Sequence, residues 1–492
     1  MLNVLPPLSK LTSSQKDDLI IYLFGDLQKL RVQVEEQVAQ IQLQTEQIQL
    51  QAARIQELEN LKKKNSSNSS KPPSSDSFVK KTRSLRRSSG KKVGGQTGHK
   101  GHALEQVSNP DETIILEVPT HCEACQRALE KNAGEIVETR QVFDIPVSRY
   151  IVKEFCAQEV VCTCGCKNRS AFPAGVDHAV QYGPDVRAAS VHLTQVHMMP
   201  YVRSAELIES LYGLPISAAS LLAFVAQAGG GLADEVKSIG EKVSASAVAG
   251  ADESGFRVGG GRYWLHTAVT ESYTWCGIHE KRGAEAVEAF GVLTSFKGVL
   301  THDCLAMYWL LACLHALCNA HLLRELQYVV DTSNQTWAVN MLAFYDDAYR
   351  IWHIAHHAQT PIEEAERLRL KTSYVTLVEE GLRENPANVR EPGQKGRIKQ
   401  SYAHNLLCRL RDHQDAVLRF LHDPSVPFTN NLAEQAIRMP KVKIKIAGCF
   451  RTVSGAEHFA TIRSYTDTLR KQGISIFEAL RSFFRGTTIH PA

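Results

Sequence analysis

The chain has 492 residues, of which 43% are hydrophobic and 22% charged, a composition of soluble globular proteins whose length exceeds one ordinary core and points to three or four units. A formal net charge of only +4 excludes a globally basic nucleic-acid binder, so any such surface must come from local clusters of Lys and Arg. The N-terminus, MLNVLPPLSKLTSSQKDD, lacks the parts of a signal peptide, and the apolar run from Leu305 to Leu323 is broken by His315, Asn319 and His321; a cytoplasmic protein with no membrane span is expected.

Residues 1–64 read as a coiled-coil helix, with Leu27, Val34, Ile41, Ile48 and Ile55 at seven-residue spacing. The second seam position holds Leu30, Gln37, Gln44, Gln51 and Leu58, so self-association, at least to a dimer, is expected to be weaker than a leucine zipper's. Residues 65–105 follow as a flexible basic linker. It opens with NSSNSSKPPSSD, which cannot build a core, and carries Lys80, Lys81, Arg83, Arg86, Arg87, Lys91 and Lys92 without an acid among them. Such an arm suits a phosphate backbone, where counterion release drives binding; a solvated linker is the plainer alternative.

Six of the 12 cysteines fall between Cys122 and Cys166, inside a segment read as a zinc-knuckle domain, 106–180. Cys122 and Cys125 supply one thiolate pair. Cys162 with Cys164 or Cys166 supplies the other, after two expected strands in TRQVFDIPV and RYIVKEFCAQEVVC, while Cys156 and His121 are spares. Four soft ligands would hold one structural Zn2+ with no open position for catalysis. Residues 181–248 read as a helical domain for DNA binding or packing, with Ser204 starting one helix, Gly213 and Pro215 breaking it, and Ser217 or Ser220 capping the next. That second helix, SAASLLAFVAQA, offers almost nothing to read base edges, which favours packing.

The first part of a catalytic core is placed at 249–310. A hairpin or meander begins at Asp252, a helix follows in GAEAVEAFGVL, and GVLTHDC reads as a short buried strand from which Asp303 emerges. The second part of the core and a helical insertion occupy 311–425. His315, Cys318 and His321 there have metal-compatible spacing without an evident fourth ligand, so core packing is the reading. The last part of the core, 426–470, contains FTNNLAEQAIRMPKVKIKIAGCF. Thr429 or Asn430 caps a helix with an apolar face of Leu432, Ala433, Ala436 and Ile437, from which Glu434 points away. Pro440 is expected to stop that helix and leave Lys441, Lys443 and Lys445 on one side of an extended segment, a cationic strip for DNA. A C-terminal tail helix occupies 471–492.

Two aspartates leaving neighbouring strands and a glutamate on a later helix can hold two Mg2+ ions about 3.5–4 Å apart. By spacing alone, Glu253 serves as well as Asp252.

NSSNSSKPPSSD, GGQTGHKGH, the Cys122/Cys125 pair, ADESGFRVGGGRYWLH, LTHDC, LCNAHLLREL and TNNLAEQAIR, in this order, resemble the marks of the insertion sequence 66 family of DDE transposases over nearly the whole chain. The resemblance implies a multidomain α+β protein: an N-terminal coiled coil, a small zinc-binding β domain, and a ribonuclease H-like α/β core with a long helical insertion. Its acidic triad falls on Asp252, Asp303 and Glu434. It implies a bacterial, nucleoid-associated enzyme that uses Mg2+ to hydrolyse phosphodiesters at transposon ends and to transfer strands into target DNA. The implied partners are the terminal inverted repeats, target DNA and accessory proteins of the same element. The insertion is visible independently, since about 130 residues separate Asp303 from Glu434, far beyond an ordinary connection. Thr429, Gln435 and Met439 depart from the family pattern without touching the triad. The reading from another class is a zinc-containing coiled-coil DNA-binding regulator without catalysis.

Overall fold

The computed structural model describes residues 7–69, 104–130, 134–145, 149–390 and 395–492. In chain order the elements are helix α1 (Ser13–Lys63), hairpin strands β1 (Glu159–Val161) and β2 (Lys167–Arg169), and helices α2 (Pro184–Val191), α3 (Tyr201–Tyr212), α4 (Ala218–Gly231) and α5 (Ala233–Ser244). Strands β3 (Val248–Val258), β4 (Gly261–Val269) and β5 (Thr274–His279), helix α6 (Ala284–Phe290), and strands β6 (Val299–His302) and β7 (Leu314–Leu317) follow. Next come α7 (Asn319–Ser333), α8 (Thr336–Ala358), α9 (Glu364–Glu384), α10 (Tyr402–Asp412), α11 (Gln414–Val417) and α12 (Arg419–His422). The last helices are α13 (Asn431–Ala447), α14 (Val453–Lys471) and α15 (Ile476–Phe484). The chain divides into two compact units, one of residues 1–83, 301–305 and 314–430, the other of residues 84–300, 306–313 and 431–492.

In the first unit, α1 begins with a capping box in which Thr12 and Gln15 satisfy each other's backbone N–H groups. Its seam residues Leu27, Val34, Ile41, Ile48 and Ile55 are all exposed. The Asn/Ser run after it is not a loose linker at its start. Asn68 is fully buried, its Oδ1 accepts from Asn65 N at 2.8 Å, and its amide donates to Asp331 on α7 at 2.9 Å. Asn and Ser side chains here replace the helical hydrogen bonds that the chain gives up. Residues 70–103, with Lys80, Lys81, Arg83, Arg86, Arg87, Lys91 and Lys92, lie outside the described residues. The insertion is helical, as its periodicity suggests: α8 buries Trp337, Met341, Phe344, Tyr345, Ala348, Trp352 and Ala355 along one face.

In the second unit, β3, β4 and β5 form an antiparallel meander in which Asp252 lies opposite Thr267 and Glu253 opposite His266. Asp252 therefore sits within β3 rather than at its start. In this unit the strands run in the order β5-β4-β3, with the start of β6 beside β3, where Val299 N donates to Ala247 O at 2.8 Å. Gly298 leads into β6 where the backbone of Ala247 passes, and a Cβ on it would lie 2.2 Å from Ala247 O. Residues alternate between the faces of a strand, so Asp252 shares a face with Phe256 and Val258 of β3 and with Leu265 and Val269 of β4. Helices α13 and α14 cover that face: Ala433 and Ala436 pack on Val269, and Ile437, Phe459 and Ala460 pack with Phe256, Val258 and Leu265. On the outer strand β5, Ser464 and Thr468 of α14 accept the N–H groups of Cys276 (2.8 Å) and Thr274 (3.0 Å), which closes an edge that would otherwise seek another strand.

Four expectations change. Helix α3 starts at Tyr201, three residues ahead of Ser204, which is buried inside it. Of the two expected strands, the described residues 139–145 form none and 149–162 keeps only β1 near its end, while β2 lies beyond both; their β-prone residues, Val142 and Val152 among them, are exposed. Helix α13 runs through Pro440 to Ala447. Proline removes one hydrogen bond, but Ala433, Ala436, Ile437, Pro440 and Lys443 repeat at helical spacing and are all buried, and that burial outweighs the break. The lysines consequently do not alternate along a strand. Lys441 and Lys445 are exposed, whereas Lys443 is only 8% exposed and faces the interior.

Candidate active site

Asp252 is half-buried, its Oδ1 accepts the N–H of Glu253 at 2.9 Å, and its carbonyl accepts from Thr267 Oγ1 at 3.1 Å. Glu253 is buried in a different environment. Its Oε1 accepts from Arg282 Nε at 3.0 Å and Nη2 at 2.6 Å, its Oε2 accepts from the Tyr308 hydroxyl at 2.8 Å, and the Arg282 guanidinium lies 4.9 Å from the Trp264 ring. A buried carboxylate needs such partners, since desolvation without them costs several kcal/mol, of the order of 3–5. Arg282 and Tyr308 are the residues that sequence reasoning missed, and no local signal marks them, because their roles arise from contacts far along the chain. His266, across from Glu253, is buried with a ring nitrogen 3.1 Å from Lys281 O, and burial pulls its pKa down to about 4.

Glu434 sits in the first turn of α13, half-buried, next to the Ala433 that packs on Val269. A carboxylate in a helix's first turn is favoured by the unpaired N–H groups there. Lys443, two turns further on, donates from Nζ to Thr194 O at 3.0 Å, in the π-helical turn His192–Val196, and lies 5.6 Å from the Tyr201 ring. Burial pulls its pKa down to about 8.

In the other unit, β6 ends at His302 and Asp303 follows at once, half-buried, with Oδ1 accepting from Leu305 N at 3.1 Å. Cys304 has a φ of 76°, which turns the chain sharply after the carboxylate. Burial takes the His302 pKa down to about 3, and its Nε2 lies 3.2 Å from His315 Nδ1. Cys318 caps α7; its Sγ accepts from Asn430 N at 3.1 Å, while Asn319 N donates to Phe428 O at 3.2 Å. The residues just ahead of α13 are thus tied to the end of β7 within this unit. Cys318 and His321 offer ligand atoms within 4.8 Å of each other, and in the second unit Asp252 and Glu253 do the same.

The cysteine turns are formed separately. Around Cys122 and Cys125, Gln126 N donates to Cys122 O and Cys122 N to Arg127 O, both at 2.9 Å; at the β1–β2 tip, Cys162 N donates to Cys166 O and Gly165 N to Cys162 O, both at 2.8 Å. Backbone N–H groups of Cys125 and Ala124 lower the Cys122 pKa, and the N–H and thiol of Cys164 lower that of Cys162. Among the described residues the two turns are not gathered into one ligand cluster.

No described helix is long and apolar enough to cross a membrane. A family model described as "Transposase IS66 family" matches residues 179–458, which span the helices α2–α5, the sheet, the insertion and α13. A second, described as a family of unknown function (DUF6444), matches residues 25–105, most of α1 and the basic segment beyond it. A comparison with curated proteins finds no match.

Proposed function

The chain belongs to the IS66 family of transposases, and from that premise we propose that it is a DDE-type enzyme that hydrolyses phosphodiesters at the ends of its element and joins the freed ends to target DNA. The observation that supports this most is the placement of Asp252 on the sheet face covered by α13, the helix whose first turn bears Glu434. Asp303 follows β6 directly, in the other unit. Carboxylates on a strand, after a strand and in a helix's first turn suit a ribonuclease H-like core. Their hard oxygens fit Mg2+, which binds through few carboxylates together with substrate phosphate.

We assign Asp252, Asp303 and Glu434 as the ligands of two Mg2+ ions; such a pair, when bound, activates the attacking oxygen and supports the leaving one. Asp252, not Glu253, takes this role, since Arg282 and Tyr308 already hold the Glu253 carboxylate. Thr267 and the Glu253 N–H fix the backbone and one oxygen of Asp252, which presets the carboxylate's direction. Water attack frees a 3′-hydroxyl at the element end, and that hydroxyl then attacks target DNA held in the same place, so no covalent bond to the protein is needed.

Lys441 and Lys445, together with Arg83, Arg86, Arg87, Lys91 and Lys92, are proposed to contact the DNA backbone. Lys443 does not join them, because its ammonium is spent on Thr194. The exposed seam of α1 is proposed to pair two copies, as joining two ends requires, with accessory proteins of the element as further partners. Cys122, Cys125 and Cys162, with Cys164 or Cys166, are proposed to bind one structural Zn2+ that draws the two turns together; the lowered thiol pKa values favour the thiolates such a site needs.

The test is cleavage of duplex DNA carrying the element's terminal repeats, in Mg2+, by the full chain and by Asp252→Asn, Asp303→Asn and Glu434→Gln. Each variant is expected to bind the repeats and leave them uncut. A wild-type protein that binds the repeats and never cuts them would establish a regulator instead, and variants that cut normally would remove these three residues from the catalytic site.

A further inference from the structure

Helix α8 carries two histidines one turn apart on its exposed side. His353 and His357, at i and i+4, turn their rings toward each other: centroids are 4.3 Å apart and the two Nε2 atoms 3.1 Å apart. Tyr349, one turn earlier, lies 5.6 Å from the His353 ring. The adjacent His356 is engaged differently, its Nδ1 2.6 Å from Pro424 O and its ring stacked on Trp352 at 4.7 Å. All of these residues belong to one unit.

Two imidazoles that face each other through Nε2 have two ways to use that geometry. A single proton between the nitrogens makes a hydrogen bond, or both lone pairs bind one cation. Zinc–imidazole bonds are about 2.0–2.1 Å long, so nitrogens 3.1 Å apart would subtend an angle of roughly 98° at the metal. That lies between octahedral and tetrahedral values, so the observed separation suits one metal between the two nitrogens. Spacing of i and i+4 on one helix face is the arrangement that brings two histidines to one metal.

We propose that His353 and His357 form a two-point binding site for a divalent transition metal, Zn2+, Ni2+ or Cu2+, with water in the remaining positions. Imidazole selects these ions over Mg2+, which prefers oxygen. The site is therefore separate in chemistry from the carboxylates of the core and from the cysteine turns, and it stands whether or not the chain cuts DNA. Both rings are exposed, so a metal reaches them directly and substitution leaves the packed face of α8 intact.

The experiment is equilibrium dialysis of the full chain against Ni2+, with bound metal counted for wild type, His353→Ala and His357→Ala. Wild type is expected to bind one more ion than either histidine variant, with circular dichroism unchanged throughout. Equal numbers in wild type and both histidine variants overturn the site. Loss in one histidine variant but not the other overturns the chelate, since a two-point site needs both nitrogens.

Discussion

Lys443→Met tests the reading of α13 as one continuous helix with a lysine turned inward. Lys443 is 8% exposed, and burial lowers its pKa from 10.5 to about 8. The folded state therefore gives up this proton more readily than the unfolded chain. Between pH 8 and 10.5 the unfolded chain binds more protons, so stability must rise with pH across that window, and below pH 8 the whole cost is present. At about 1.4 kcal/mol per pKa unit the cost is about 3 kcal/mol at pH 7 and falls to about 1 kcal/mol by pH 10. Methionine fills a similar volume without a charge but loses the hydrogen bond to Thr194 O, worth about 1 kcal/mol. The variant should be the more stable protein at pH 7, by about 2 kcal/mol, and lose that advantage by pH 10. Urea unfolding of both proteins from pH 7 to 10 reads the difference, in which the shared titration of cysteines and tyrosines cancels. A difference that does not change with pH refutes the burial argument and returns Lys443 to the surface.

Acid should act through His266, whose pKa of about 4 leaves it neutral in the fold while the unfolded chain protonates near pH 6.5. Stability is expected to fall by up to about 3 kcal/mol between those values, and His266→Gln, compared in urea at pH 7 and pH 4.5, should lose that part of the slope. Gly298→Ala would place a Cβ 2.2 Å from Ala247 O and 2.6 Å from Ser246 O, both backbone atoms, and should lower stability by about 1–3 kcal/mol or more; an unchanged urea midpoint would show that the approach of β6 to Ala247 relaxes freely. Lys at both Ile41 and Ile48 should break the α1 seam and reduce the mass measured by light scattering to that of one chain, while an unchanged assembly would place self-association elsewhere.

Features that depend on neighbours in sequence were legible. The heptads gave α1 and its end at Lys63, though the helix begins only at Ser13; the Gly-rich turn gave the β3–β4 hairpin, and the apolar run before Asp303 gave β6. Features that depend on distant partners were not. Proline is a local stop signal, yet α13 passes through Pro440 because the sheet and its neighbours bury the same helical face on both sides of it. A run of Asn and Ser reads as a linker, yet Asp331, on a helix hundreds of positions later, gives the buried Asn68 a partner. The apolar residues near Val142 and Val152 have strand composition, but composition does not supply a core to bury them. The same limit made three lysines look alike when burial separates one from the other two.

Asp252 and Glu253 are adjacent acids that the two faces of a strand place in different surroundings. Both are acids on β3, and sequence spacing treats them equally. Alternation sends Asp252 toward the face of α13 and Glu253 toward His266. The Glu253 side chain is only 1% exposed, and Arg282 at 2.6 Å with the Tyr308 hydroxyl at 2.8 Å provides the pairing that a buried carboxylate needs. Recruiting Glu253 to a metal would strip it of both partners and leave Arg282, stacked on Trp264, to find a new counterion. Asp252 lies on the face on which α13 packs, the helix whose first turn bears Glu434. On the proposed reading the buried Glu253–Arg282 pair disfavours Glu253 as a ligand and leaves that role to Asp252.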